Sequence, residues 1–182
     1  MSYAQQITAE LVPIRPADAL EHDHMVRALA WVRSGAPLCR TAPPATPNMH
    51  LVTYFPVVDQ GLVLLGDHIS SGLWLPPGGH VEPGEHPCDT VIRECREELR
   101  MQARFVGRAP VFLSIAETIG AHPHVDVALW YALQGSAGQI PDFDPREYRA
   151  MRWFAFDAVP LDDTDPHIAG FLGKLGSHAR VA

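Results

Sequence analysis

Cysteine is scarce: the 182-residue chain carries three, at positions 39, 88 and 95. They cannot all pair within the chain and none stands in a CxxC spacing, so a disulfide framework is excluded and a thiolate zinc site is weakly supported. The reading is of reduced thiols in a cytoplasmic protein. Basic residues are also short, with 14 Lys and Arg against 21 Asp and Glu and a net charge of −7. That balance speaks against a nucleic-acid polymer or an anionic membrane as the main partner. It leaves room for a small phosphorylated molecule, because a bound divalent cation reverses the local sign. Long apolar runs are missing, and no stretch is long enough to cross a bilayer. The opening MSYAQQITAELVPIRP lacks the basic start and unbroken apolar run of a secretory signal. What remains is an ordinary globular composition, 47% hydrophobic and 19% charged, of a length suited to one domain with an extra arm.

Proline and glycine punctuate the chain. In residues 17–33, Leu20, Met25, Leu29 and Val32 recur at helical spacing between Pro16 and Gly35. GAPLCRTAPPATPN follows as a stiff connector. Residues 1–48 are therefore expected to form a helical arm and a proline-rich connector, and residues 49–182 the main domain. From His50, LVTYFPVV and GLVLLG predict two strands with a turn at Asp59-Gln60-Gly61. A shaped loop, LWLPPGGHVEPGE, leads to Pro87, well placed to begin a helix. Apolar runs at 103–106, 111–116, 125–133 and 151–156 predict further strands, and DPHIAGFLGKLGSHA a weak final helix. Mixed order of this kind argues for an α/β layered sandwich.

The helix expected over 87–99 puts Cys88, Val91, Ile92, Cys95 and Leu99 on one packing stripe. Glu94, Glu97 and Glu98 crowd onto a single turn beside it, with Arg93 and Arg96 expected to point elsewhere. Like charges three and four apart repel and would weaken the helix. A solvated acidic face is the ordinary explanation for a glutamate run. The alternative is a hard divalent cation, Mg²⁺ or Mn²⁺, held by these carboxylates together with substrate phosphates.

Gly79, then Glu85 six positions on, then Arg93-Glu94-Cys95-Arg96-Glu97-Glu98 resembles the signature box of the Nudix hydrolases, G-x5-E-x7-R-E-U-x-E-E-x-G-U. Chance agreement at the six charged or glycine positions is roughly one in ten million at any one start. Cys95 stands at the bulky aliphatic position, and Arg100 replaces the late glycine. That arginine predicts a helix end other than the left-handed one glycine favours. The order of elements from His50 to Asp157, the approach WLPPGGHVEPGE and the late Trp153-Phe154 pair are also similar to that family's core.

The resemblance implies an α/β/α sandwich with a mixed sheet, which carries the arm as an addition. It implies a metal-dependent hydrolase that cleaves the pyrophosphate bond of a nucleoside diphosphate derivative, a triphosphate or a nucleotide sugar, with water as nucleophile. Carried over by position, Glu94, Glu97 and Glu98 become metal ligands, one of them also a candidate base. Gly79 supplies a backbone carbonyl or a close approach, and Arg93 pairs with Glu85 to orient the loop. Glu147 is either a further metal ligand or a solvated loop residue. His122, His124 and Asp126, read as alternating along one strand face, are candidates for the substrate pocket, as is His80. Trp74 and Tyr54 either stack on a base or pack in the core. The expected partner is a small nucleotide-type molecule, with a homodimer left open. No SQPWPFP or LLTxR motif occurs, Pro110 comes too early for the ADP-ribose group, and Thr118-Ile119 stand where dinucleoside polyphosphate hydrolases carry tyrosine, so the subfamily is unassigned. Two rivals share the fold. One is a non-catalytic nucleotide sensor, which would typically lose box glutamates. The other is an isoprenyl diphosphate isomerase, which needs a cysteine in an open pocket.

Overall fold

The computed structural model describes residues 1–119 and 122–178. Its helices are α1 (Tyr3–Leu11), α2 (Ala19–Arg33), α3 (Pro87–Leu99) and α4 (Ile168–His178). Its strands are β1 (Met49–Tyr54), β2 (Val57–Asp59), β3 (Leu62–His68), β4 (Trp74–Leu75), β5 (Gly78–His80), β6 (Phe112–Glu117), β7 (Val125–Trp130), β8 (Leu133–Gln134) and β9 (Tyr148–Ala155). One sheet has the order β5-β1-β7-β6, with β1 and β7 parallel and the outer pairs antiparallel. The other runs β4-β3-β2-β8 with β9 added along β3.

Alternation along the strands assigns the two faces of the first sheet. Odd positions Leu51, Leu113, Ile115, Val127 and Leu129 are buried in a core with residues of α1, α2 and α3. Even positions Val52, Phe112, Ala128 and Trp130 bury against Ile168, Phe171 and Leu172 of α4 and against Val63 and Leu65 of β3. The result is the expected α/β sandwich, built on two mixed sheets rather than one.

Two predicted strands divide where the chain changes sheet. LVTYFPVV breaks at Phe55-Pro56, since proline lacks the ladder donor, giving β1 to the first sheet and β2 to the second. The 125–133 run breaks beside it, and the Tyr131 amide donates to Tyr54 O (2.8 Å) and that of Leu133 to Pro56 O (3.0 Å). The two segments thus cross together. The Asp59–Leu62 hairpin turns at Gln60 and Gly61, with φ of 42° and 83°, which suits a two-residue type I′ turn. The strand expected over 103–106 is reduced to a single bridge, Phe105 with Leu133.

The N-terminal 48 residues pack against the body. Sequence reasoning passed over α1, although Ser2 and Gln5 form a capping box at its start. Ile7 and Leu11 of α1 and Met25, Ala28 and Val32 of α2 join the same core as Leu113 and Ile115. The connector is not a bare spacer: Leu38 and Cys39 are buried, and Leu38 O accepts from the Leu51 amide at 2.7 Å. Residues 41–44, around Pro43 and Pro44, stay exposed. Of the expected 49–182 unit, residues 120–121 and 179–182 lie outside the described residues. No helix among the described residues is long and apolar enough to cross a membrane.

Candidate active site

The loop LWLPPGGHVEPGE returns as β5, where Gly79 pairs with Thr53 and His80 with Val52. Helix α3 then crosses this edge. His86 caps it, its ring accepting from the Cys88 amide at 3.2 Å, and Pro87 occupies the first turn. At its other end Arg100 takes the left-handed conformation, φ 49° and ψ 31°. The expected departure from a glycine-type ending is therefore corrected. The amides of Arg100 and Met101 still close back onto Arg96 O and Cys95 O, and the geometry holds without glycine at a cost of ~1 kcal/mol.

This frame brings Glu94 and Glu98 to the wall of a cavity of about 820 Å³, together with Gly78, Gly79, His80 and Glu147. A Cβ at Gly79 would run into the Glu94 side chain, and one at Gly78 would stand 2.6 Å from Thr53 O. Both glycines are needed for close approach rather than for unusual backbone angles. Glu97 is turned outward, its side chain 60% exposed. The three box carboxylates thus divide, two toward the cavity and one toward solvent, where the sequence suggested convergence.

Arg93 corrects a second expectation. It does not point away: its Nε and Nη2 donate to the two Glu85 oxygens (both 2.9 Å), Nη1 donates to Glu94 (2.7 Å), and Nη2 also donates to His80 O (3.1 Å). A fork of this kind fixes loop and helix together. Burial alone would raise Glu85, but the hydrogen bonds from Arg93 and Thr90 prevail and hold it at about 2. Burial raises the Glu94 carboxyl despite the same arginine.

Glu98 is the extreme case. It is 9% exposed, its Oε2 accepts from Tyr148 OH at 2.8 Å, and Arg93 does not reach it. Burial pushes its pKa up to about 8, with the Tyr148 hydrogen bond opposing and the charges of Glu94 and Glu147 adding. A buried carboxyl without a cation beside it, next to a second raised carboxyl in a cradle that a Cβ would fill, suits a hard divalent ion. Glu147 contributes a half-exposed carboxylate, 3.7 Å from His68 Nε2.

On the opposite strands, Asp126 sits on β7, but His122 and His124 precede the strand instead of alternating along it. All three still line the cavity, as does His80. Burial lowers His80 to about 4. Tyr54 lines the cavity while packing on Trp130, ring centres 4.8 Å apart. Trp74 packs on Phe154, with Arg152 over its ring. Two site residues went unread in the sequence. Tyr148 gave no local signal, being 50 positions from Glu98. His50 did give one, since it shares strand parity with Val52 and Tyr54 and so faces the cavity layer.

The chain matches the NUDIX domain family over residues 49–175. It is 32% identical over 89 residues to the asymmetrical bis(5'-nucleosyl)-tetraphosphatase of Sus scrofa, covering 46% of this chain and 56% of that protein. It is 28% identical over 107 residues to an RNA pyrophosphohydrolase of Gluconacetobacter diazotrophicus, covering 52% and 64%. The alignments thus span little more than half of these curated relatives. Among solved structures, a NUDIX family hydrolase from Clostridium perfringens superposes with a TM-score of 0.54 at 19% identity, over 68% of this chain and 93% of the other. A MutT protein from Methanosarcina mazei gives 0.55 at 16%, over 72% and 95%. At that identity the likeness is one of fold.

Proposed function

The chain belongs to the NUDIX domain family, and from that premise we propose that it is a divalent-metal-dependent hydrolase of the pyrophosphate bond in a nucleoside diphosphate derivative. One observation carries the reading: Glu98 and Glu94, both held above the usual carboxylate range, face one large cavity across Gly79. Glu94, Glu98 and Glu147, with Glu97 after a rotation of its exposed side chain, would hold Mg²⁺ or Mn²⁺. Bound there, the ion supplies neutralisation of phosphate charge and a lowered pKa for water. The chain's own part is positioning. Arg93 locks the Glu85 loop to α3, Gly79 admits Glu94 to the wall, and Tyr148 OH holds Glu98 in one orientation. With the ion beside it favouring the ionised form, Glu98 is the candidate to take a proton from the attacking water. His80, His122, His124 and Asp126 give the cavity a polar wall opposite the glutamates.

In this reading residues 49–182 carry the chemistry, residues 1–48 brace it, and the enzyme is cytoplasmic. The net charge of −7 supports a small nucleotide over a membrane or a long nucleic acid. The names of the relatives add two candidates, bis(5'-nucleosyl) tetraphosphates and RNA. The test is a panel of these with nucleoside triphosphates and nucleotide sugars, assayed for phosphate, pyrophosphate and nucleotide release with Mg²⁺ or Mn²⁺. Release from at least one class that requires the metal is expected. Binding without release from any would replace the hydrolase with a nucleotide sensor.

A further inference from the structure

Beside the box, and using none of its glutamates, four side chains converge from three strands and a loop. His50 on β1 pairs in register with Asp126 on β7, and His80 on β5 pairs with Val52, two positions along β1. His124 arrives from the segment before β7. One ring nitrogen from each histidine and one Asp126 oxygen all lie within 4.8 Å of one another. Two of the separations are 3.2 Å, His124 Nε2 to Asp126 Oδ1, and 3.7 Å, His50 Nε2 to the same oxygen.

Hydrogen bonds behind the rings decide what these nitrogens can do. His50 Nδ1 lies 2.8 Å from Pro47 O and His124 Nδ1 2.9 Å from His122 O. A carbonyl only accepts, so each Nδ1 carries the proton and, in the neutral ring, each Nε2 presents a bare lone pair. Those lone pairs point at a carboxylate oxygen. His50 Nε2 and His80 Nε2 are buried and without a hydrogen-bond partner, Asp126 Oδ1 has the His124 ring 3.2 Å away, and the His50 side chain is wholly inaccessible. Buried acceptors facing acceptors are costly unless a cation lies between them. One proton between His124 and Asp126 would satisfy a single pair and leave His50 and His80 unanswered. Arg40, which shares the cavity, donates to Pro44 O instead.

We propose that His50, His80, His124 and Asp126 form a second metal site, selective for a borderline divalent ion of the zinc type over Mg²⁺. Three imidazoles and one carboxylate are a donor set that suits zinc, whereas the all-oxygen box suits a hard ion. Tetrahedral ligands ~2.0–2.1 Å from zinc stand ~3.3 Å from one another, and the 3.2 and 3.7 Å separations bracket that value. The Nδ1-to-carbonyl bonds are the outer contacts that fix metal-binding tautomers. Because His80, His124 and Asp126 line the cavity, the ion would face the same space as Glu94 and Glu98 and add positive charge for an anionic substrate.

The test uses the full chain, stripped with chelator and dialysed against excess Mg²⁺, then titrated with Co²⁺ or Zn²⁺. We expect one equivalent of zinc retained by elemental analysis and intense visible bands of tetrahedral cobalt. Asp126→Asn and His124→Gln should each weaken cobalt binding by at least ~100-fold, and Glu98→Gln should leave it unchanged. A folded wild type that keeps no zinc above the Mg²⁺-only blank overturns the proposal, as does binding equally tight in both cluster variants. Should the variants not fold, nitrogen-15 imidazole spectra of the wild type decide. One equivalent of zinc must move three histidine Nε2 resonances, and movement of none overturns the site.

Discussion

Among the described residues two glutamates are buried, Glu21 and Glu98, and they are buried differently. Glu21 of α2, 1% exposed, accepts from the Ala17 amide (2.7 Å), the Leu113 amide (3.4 Å) and the Lys174 ammonium (2.6 Å). Lys174, the only lysine in the chain, is itself buried and lies over the Phe112 ring. Glu98 of α3, nearly as buried, accepts from one phenol and faces a cavity. The first carboxylate is matched by a cation and ties α2, β6 and α4 together. The second lacks such a partner and is held in a state that favours acquiring one. Burial by itself therefore does not separate structure from function; the completeness of the partner set does.

The sharpest way to break the comparison is to neutralise each carboxylate. Glu98→Gln should lower turnover on the order of 10⁴-fold, about 5 kcal/mol of barrier, while the melting temperature in metal-free buffer stays the same or rises. Steady-state kinetics and a thermal melt check it; turnover at the parent rate would remove Glu98 from the chemistry. On the other side, Lys174→Met should cost ~3–5 kcal/mol in denaturant unfolding, because it strands the Glu21 charge in the interior. Adding Glu21→Leu should restore most of that loss. If Lys174→Met instead left stability intact, the pair would not be holding the arm to the body.

How much of this contrast was legible in the sequence depends on distance along the chain. The box reads directly because its spacing is local: Gly79, Glu85 and Glu94 are one loop and one helix apart, and α3 forms over the residues its packing stripe marks out. Glu21 and Lys174 stand 153 positions apart, and nothing in ADALEHDHMV distinguishes the glutamate that turns inward from an exposed one. Tyr148 escaped for the same reason, standing 50 positions from Glu98, whereas the strand parity of His50 with Val52 and Tyr54 was a local signal left unread. Arg93 pairs with Glu85 as the box spacing implies, whereas its reach to Glu94 ran against expectation, because a helical wheel gives the direction of Cβ and not how far a guanidinium extends. The division of LVTYFPVV was, by contrast, written locally in Pro56, and the α1 cap in Ser2 and Gln5.

Asp165 sharpens the comparison as an intermediate case. It is 7% exposed and lines the cavity, and its Oδ1 accepts from the His167 amide at 2.8 Å. Burial raises it to about 6, against that bond and helped by the charge of Asp126. A folded-state pKa above the unfolded value of 3.8 means that native protein holds a proton the unfolded chain has released. The contribution is complete below about pH 3.8 and is lost as pH rises through 6, by ~2–3 kcal/mol in all. Asp165→Asn, which keeps the acceptor, should flatten stability between pH 4 and 7 and exceed wild type at pH 8. Identical pH profiles for the two proteins would mean that Asp165 is hydrated rather than buried.

The smallest effect tests the incomplete partner set itself. If Glu98 and Glu94 wait for a hard cation, Mg²⁺ must bind the native chain and not the unfolded one, and must stabilise it by RT ln(1 + [Mg²⁺]/Kd). At ten times Kd that is ~1.4 kcal/mol, a shift of ~3–6 °C in melting temperature for a domain of this size. The shift should vanish in Glu98→Gln and survive in the Glu21→Leu/Lys174→Met double variant, whose box is untouched. A shift that persists without Glu98 would place the ion elsewhere, and the histidine cluster, which prefers zinc, would then have to be assayed with Mg²⁺ as its occupant. A shift lost in both variants would show that the two glutamates are coupled through α4 and the cavity wall, and the distinction between a completed and an awaiting carboxylate would no longer hold.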